Sequence, residues 1–332
     1  MSRNFSADEA RDLAADALIR CRTGPSQAAS VADALVEAEL IGQEGHGLRR
    51  MLSYAPQVLS GKVDGEAVPE TKRLRPGTLS INAHYGFAYP AIDIAVRELP
   101  AMADANGIAI AGVRASHHAG AAGIFVERLA REGMVALMMV NTPAAIAPWN
   151  GGKALYGTNP IAFAAPVPWA EPLVIDLALS HVARGKIMAA KQKGETIPEG
   201  WAFDAQGNPT TDPDAALAGT MAPAGGAKGA MLALMVEVIA AALTGSNFGF
   251  EATSFFDAQG ASPSTGQVII AIDPGALGAQ GLARIGVMAS AIQGQSDARL
   301  PGRRRQQMRA HRVLNGIDLD ETLVEKISKL GK

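Results

Sequence analysis

The sequence predicts an α/β fold in which a mixed β-sheet is covered by helices and both chain ends are helical. Three patterns carry that expectation. Six short apolar or alternating runs, most of them bordered by Gly, Pro or Asn, read as strands. Segments with helical periodicity lie between them, and such alternation marks a sheet packed under helices. Two of the strand runs, PIAFAAPV (160–167) and PLVIDLAL (172–179), are separated only by PWAE. That link is too short for a helical crossover, so a hairpin forms there and the sheet is mixed rather than wholly parallel.

Taken in order, Ser6-Ala7-Asp8-Glu9 has the form of a capping box that starts a helix over residues 6–23, with Leu13, Ala17, Leu18 and Cys21 on one face. Gly24-Pro25-Ser26 ends it and starts a second helix, whose stripe is Val31, Ala34, Leu35, Ala38 and Ile41. LRRMLSYAPQVLSG predicts a third, reaching Gly61 and interrupted at Pro56, so the first 60 or so residues read as purely helical. The other strands are expected at 78–82, 107–113, 134–141 and 266–272, and helices at 88–105, 120–132, 181–193 and 226–244. The segments 279–298 and 318–331 are helical again.

Composition narrows the function classes. The chain has 332 residues, 48% hydrophobic and 19% charged, with a formal net charge of −2, which gives no general reason to expect nucleic-acid or membrane binding. The N-terminus MSRNFSADEARDLAADAL is acidic and amphipathic and lacks the apolar centre of a signal peptide. The most apolar stretch, residues 230–243, is shorter than a bilayer span and contains Glu237; it reads as a buried core helix. The single cysteine, Cys21, excludes an internal disulfide and fits a reducing, cytoplasmic setting.

Several stretches can carry chemistry. In GHGLRRM (45–51), Gly45 and Gly47 let the backbone turn sharply around His46, and Arg50 follows four residues later. An arginine clamps a carboxylate in bidentate fashion, and a histidine beside it exchanges a proton; a glycine-rich cap with a solvated histidine is the plain alternative. ASHHAGAAG (115–123) leads from a strand into a helix, where free amides and small residues suit an anion or a cofactor phosphate; structural histidines fit equally well. The spacing is not G-x-G-x-x-G, so the Rossmann fingerprint is absent, and no carboxylate or H-E-x-x-H supports a metal site. Thr158 and Asn159 offer hydrogen bonds from a turn-rich loop, and Lys228 in GGAKGA begins a helix as a phosphate partner or a solvated lysine. LPGRRRQQMRAHR (300–312) reads as a solvated basic helix face or as a pocket for the extra phosphate of NADP; it lacks the aromatics of a nucleic-acid surface. Asp176, Ser180 and His181 do not make a hydrolase triad, since no G-x-S-x-G elbow exists.

Together, GHGLRR, RASHHAGAAG, GTNPIAFAAP, VIDLALSHVARGKI, PEGWAFDAQGNPTTD, GGAKGA and RLPGRRR, in this order, resemble the type-2 malate/L-lactate dehydrogenase family across nearly the whole chain. The family includes sulfolactate dehydrogenases, ureidoglycolate dehydrogenase, a diketogulonate reductase and the Δ1-piperideine-2-carboxylate/Δ1-pyrroline-2-carboxylate reductases. The resemblance implies a non-Rossmann, three-layer α/β domain with a mixed sheet (71–284), which binds NADPH or NADH. It implies a helical domain from both termini (1–70 with 285–332) and a homodimer with active sites near the subunit interface. By position, His46 matches the family's proton donor and Arg50 its substrate-carboxylate arginine. Thr158, Leu179 and Ser180 match substrate contacts. His118, Ala119, Gly120, Ala121 and Ala122, then Asp176, Leu177 and Ala178, then Lys228, and finally Arg303, Arg304 and Arg305 match cofactor contacts.

The implied reaction is hydride exchange with C2 of a small 2-oxo or 2-hydroxy acid of the malate, lactate or sulfolactate type, with His46 as imidazolium protonating the developing alkoxide. The alternative is reduction of a cyclic imine carboxylate. Many relatives have Ser where this chain has Gly45, and some imine reductases have an acid where it has Lys186, so a Ser–His–acid relay is missing. Many members carry an aromatic residue where Ala119 stands. The Arg303–Arg305 run tilts the cofactor expectation towards NADPH.

Overall fold

The computed structural model describes residues 2–332. In chain order its strands are β1 (Ser2–Phe5), β2 (Glu70–Arg75), β3 (Thr78–Asn82), β4 (Ile108–Ser116), β5 (Val135–Val140), β6 (Ile161–Val167), β7 (Ala170–Leu177), β8 (Ala202–Phe203), β9 (Pro209–Thr210), β10 (Thr220–Met221), β11 (Thr265–Ile272) and β12 (Ile317–Asp320). Its α-helices are α1 (Ala7–Arg20), α2 (Pro25–Leu40), α3 (Met51–Leu59), α4 (Ala88–Asn106), α5 (Ala122–Arg131), α6 (Arg184–Lys193), α7 (Pro213–Ala218), α8 (Ala227–Val236), α9 (Gly281–Gln293), α10 (Arg303–Asn315) and α11 (Glu321–Lys329).

The main sheet has seven strands in the order β2-β3-β4-β11-β5-β6-β7. Only β3 and β4, joined through α4, run parallel; every other neighbouring pair is antiparallel. The expected β6–β7 hairpin is present, with Ile161 opposite Leu177. One face of the sheet alternates Leu79 and Ile81, Ala109 and Ala111, and Ala136 and Met138 into a cluster with α4 and α5. On the other side Met139 and Val268 pack on Ala233 and Val236 of α8 and on Ala240 beyond it. Small alanines at these contacts let helix and sheet approach closely. The three-stranded β10-β8-β9 sheet lies with α6 and α7 over a separate cluster containing Ile146, Ile187 and Met221.

Helix α1 starts as its capping box requires: Glu9 N donates to Ser6 Oγ at 3.2 Å, and Ser6 N donates to Glu9 Oε2 at 2.8 Å. Helix α3 continues through Pro56, which removes one backbone donor from the helix without breaking it.

Several sequence expectations need correction. The N-terminal segment is not purely helical, because β1 pairs antiparallel with β12, Phe5 opposite Ile317. Residues 318–320 are therefore strand, and α11 begins only at Glu321, where the amide of Leu323 donates to the Asp320 side chain. Four residues are too few for a visible period, and each strand finds its partner at the opposite end of the chain. Strand β2 was hidden by its composition: ETKRLR is exposed throughout and forms the charged edge of the sheet. Residues 181–183 lie before α6, and 294–298 lie after α9. The apolar stretch 230–243 is not wholly buried. Ala230, Ala233 and Val236 face the sheet, whereas Met231, Leu234 and Leu243 are exposed, because a helix covering one side of a sheet has an outer face. No helix among the described residues is long and apolar enough to cross a membrane.

Contacts also define where the ends of the chain sit. Helix α11 packs on α1 and α3, and α10 on α2, but one continuous apolar cluster links α1, α2, α3 and α11 to the main sheet. Residue 285 lies inside α9, which packs on β6 through Val167 and Ala289.

Candidate active site

Strands β4, β5 and β7 end, and β6 and β11 begin, on the same side of the main sheet. The loops there enclose a cavity of about 560 Å³ together with the segment after α2 and the segment 249–256. Its lining includes His46, Arg50, His118, Ala119, Gly120, Ala121, Thr158, Asp176 and Ala178. Residues far apart in sequence thus converge on one concavity, the ordinary location of a small-molecule site.

His46 is carried on a short 3₁₀ turn (Glu44–His46). Gly47 next to it has no room for a side chain, because a Cβ would run into the Glu39 carboxylate. Glu39 is buried and accepts from the Leu48 amide at 2.8 Å, and burial is the main cause that pushes its carboxyl up to about 7. Gly45, by contrast, faces open space, so a side chain fits there. Arg50 bends back to donate from Nε to the Gly45 carbonyl at 2.8 Å, and its guanidinium carbon lies 4.8 Å from the centre of the Phe256 ring. Two polar atoms are left sealed without partners, His46 Nδ1 and Arg50 Nη1. A buried guanidinium nitrogen lacking an acceptor is costly, and a bound carboxylate is the group that satisfies it. Burial, then the charges of Arg50 and Arg305, pull His46 down to about 3. Near neutrality His46 is therefore neutral imidazole, not the imidazolium expected from the sequence. A carboxylate on Arg50 removes one of the charges opposing protonation.

The two adjacent histidines follow β4 and separate in role. His117 is fully buried; its Nε2 meets Gln57 Oε1 at 2.8 Å, and Gln57 Nε2 donates to the Phe255 carbonyl at 2.9 Å. It thus ties α3 to the loop that lines the cavity. His118 lines the cavity, with its ring stacked on His46 at 5.3 Å between centroids and 11° between planes. Gly120 turns the chain with φ +65°, and a Cβ there would lie 2.7 Å from Tyr89 Oη. Gly120→Ala is expected to cost about 1–3 kcal/mol in denaturant-induced unfolding; an unchanged midpoint would contradict this strain.

The opposite wall is built on a buried carboxylate. Glu237, in a π-helical turn after α8, accepts from Asn159 Nδ2 at 2.9 Å and from the amides of Gly249 at 3.0 Å and Gly157 at 3.3 Å. Burial pushes its carboxyl up, against those hydrogen bonds. It holds three segments behind Thr158, whose amide donates to Thr142 Oγ1 at 3.0 Å. Asp176 meets Arg305 at 3.2 Å, so two expected cofactor contacts from distant segments are brought together, with the Gln43 amide against both.

Other expected residues do not reach the cavity. Leu177 at the end of β7 points outward and is 59% exposed. Leu179 packs in the α8 cluster, and the Ser180 hydroxyl donates to the Val182 carbonyl at 2.7 Å. Both are buried below the surface of the site, where the chain leaves β7 and packs against α8 and the segment before α6. Ala122 opens α5 just behind Ala121. Lys228 lies in the first turn of α8, outside the lining. Arg303 lines a second cavity with Glu171 and Arg299, and Arg304 is exposed. Lys186 is exposed with its ammonium 5.9 Å from the centre of the Trp201 ring, so no acid stands in its place. Among the described residues no three His, Cys, Asp or Glu side chains gather as a metal site.

Sequence reasoning missed Gln43, Thr142, Phe255 and Phe256 in the lining, and Tyr54 behind it. No local signal marked them: Tyr54 shares the buried face of α3 with Met51, Ala55, Gln57 and Val58.

The cradle fits a nucleotide cofactor in chemistry: a positive-φ glycine, small residues at the start of α5, and an arginine–aspartate pair at the rim. The chain is 47% identical over 327 residues, 98% of both chains, to the (2R)-3-sulfolactate dehydrogenase (NADP(+)) of Chromohalobacter salexigens. It is 38% identical over 330 residues to the Delta(1)-pyrroline-2-carboxylate reductase 1 of Burkholderia ambifaria, covering 98% of this chain and 97% of that one. The crystal structure of delta1-piperideine-2-carboxylate reductase from Pseudomonas syringae pvar. tomato superposes with a TM-score of 0.94 at 37% identity, covering 99% of each chain. The sequence pattern described as malate/L-lactate dehydrogenase matches residues 5–328, and the chain therefore belongs to that family.

Proposed function

We propose that this chain is an NADP(H)-dependent oxidoreductase that interconverts a small 2-hydroxy acid and its 2-oxo acid, of the 3-sulfolactate type. The observation that carries the reading is the pair of sealed, unpartnered atoms, His46 Nδ1 and Arg50 Nη1, in one cavity. Arg50 takes the substrate carboxylate. Neutral His46 takes the proton from the C2 hydroxyl during oxidation and returns it in reduction, once the carboxylate has offset Arg50. Thr158, with Thr142 beside it, lines the wall facing the substrate. When bound, the nicotinamide supplies or accepts the hydride. Ala119–Ala121, Asp176, Ala178 and Arg305 would hold it, whereas Ala122, Leu177 and Lys228 lie outside the cavity lining.

The similarity to the Chromohalobacter enzyme supports the sulfolactate reading over the cyclic-imine one, as does Lys186 in place of an acid. The chain is further read as a homodimer with residues 1–70 and 285–332 forming one helical unit beside 71–284, working in the cytoplasm. Exposed Met231, Leu234 and Met235 along the outer face of α8 support association. A panel tests the assignment: 3-sulfolactate, malate and lactate with NADP+ and NAD+, beside Δ1-pyrroline- and Δ1-piperideine-2-carboxylate with NADPH and NADH. The expected result is the highest kcat/KM for 3-sulfolactate with NADP+. A higher value for either cyclic imine overturns it.

A further inference from the structure

A chain of hydrogen bonds behind the cavity has a fixed direction. Tyr54 and Tyr89 are both fully buried. Their hydroxyl oxygens are 2.9 Å apart, and Tyr54 Oη is 2.6 Å from Nδ1 of His118. Among the described residues Tyr89 Oη makes no other hydrogen bond, so its proton has one acceptor, Tyr54 Oη. Tyr54 must then give its own proton to His118 Nδ1. The reverse direction leaves the Tyr89 hydroxyl proton buried without an acceptor, which is costly.

Nδ1 of His118 is therefore an acceptor, and a neutral imidazole with an acceptor at Nδ1 carries its proton on Nε2. That nitrogen bonds no protein atom among the described residues, and the ring lines the cavity. The stacked His46 ring, 5.3 Å away and nearly parallel, presents its edge to the same space. Burial, reinforced by Arg50, His46 and His117, holds His118 well below its usual value and thus neutral. Burial likewise raises both tyrosines, Tyr54 to about 12, so neither loses its proton near neutrality.

We propose that Tyr54 and Tyr89 lock His118 in its Nε2-protonated neutral form, and that His118 donates a hydrogen bond to the C2 oxygen of the substrate. This rests on the hydride-exchange reading given above. The work is thereby divided between two stacked imidazoles. His46 moves the proton, and His118 polarises the oxygen without giving its proton up. Tyr54 and Tyr89 are positioning residues that act through His118.

The test combines spectroscopy with kinetics. In protein labelled with 15N-histidine, the His118 signals are identified by their loss in His118→Gln. The wild type and Tyr89→Phe are expected to show neutral His118 protonated at Nε2, because Tyr54 still has His118 as its acceptor. Tyr54→Phe is expected to lose that fixed pattern and to lower kcat about tenfold, with the Kd for NADPH changed by less than about twofold. His118→Gln, which keeps an N–H near the Nε2 position, is expected to retain more activity than His118→Ala. An Nδ1-protonated or charged His118 in the wild type overturns the lock, whatever the enzyme's substrate. If His118→Ala weakens NADPH binding about tenfold or more but leaves kcat intact at saturating cofactor, the donor role is overturned, and the ring serves the cofactor instead. Failure of the parent reading shows separately, as an absence of wild-type turnover on every 2-hydroxy acid.

Discussion

His46→Ala is expected to lower kcat/KM for hydroxy-acid oxidation by about 10³-fold, within the usual range for loss of a positioned acid or base. NADPH binding, followed by nicotinamide fluorescence, is expected to stay close to wild type, because the cradle residues Ala119–Ala121 and Asp176 come from other segments of the chain. A variant with near-normal kcat would remove His46 from the chemistry. The pH profile supplies an independent check. The group is pulled down from 6.5 to about 3, so its neutral, basic form persists to lower pH than a solvated histidine's. The acid limb that His46 gives to kcat/KM for oxidation belongs near 3, and this group is expected to contribute no fall at 6.5. In the reverse direction the substrate must first cancel the field of Arg50, so the apparent value in the complex with 2-oxo acid lies above that of the free enzyme. A limb at 6.5 in the free enzyme that vanishes in His46→Ala would contradict the burial and charge argument.

Arg50→Lys is expected to reduce kcat/KM by about 100-fold, or about 3 kcal/mol, although the charge is retained. Lysine cannot offer the fork that pairs both carboxylate oxygens. It also loses the planar stacking on Phe256, where the guanidinium carbon lies 4.8 Å from the ring centre. The loss is expected mainly in KM, since carboxylate binding is shared by ground state and transition state. Steady-state kinetics with 3-sulfolactate at saturating NADP+ measure it. A Lys variant within about threefold of wild type would mean that Arg50 acts only as a diffuse charge.

The parts of the site written in contiguous sequence were legible. GHGLRR keeps His46 and Arg50 in one turn, and the run after β4 carries its own glycine and small residues into α5. Where a motif spans an alternating or helical element, its period divides it, and contiguity misled. Asp176 and Ala178 face the cavity, while Leu177 between them faces solvent. Two residues, just over half a helical turn, separate Arg305, against Asp176, from Arg303, in the second cavity, so the two face different ways. Tyr54, Tyr89 and Phe256 were invisible as site residues, since each sits in a run that reads as ordinary core or loop. The hairpin followed from a four-residue link. The β1–β12 pair could not, because nothing local records a partner at the far end of the chain.

The place of β11 has a consequence for how the molecule comes into being. This strand is made late, yet it lies in the middle of the sheet, between β4 and β5. Val268 aligns with Gly112 on one side and with Met139 on the other. Until residue 272 leaves the ribosome, β4 and β5 present two facing, unpaired apolar edges, the type of surface that invites aggregation. Contacts spanning well over a hundred residues also raise the contact order, so closure of the sheet is intrinsically slow. The cavity borrows loops from both flanks of that gap. The binding site is therefore among the last features to form during synthesis, and a nascent chain lacking β11 has no assembled pocket with which a ligand can stabilise it.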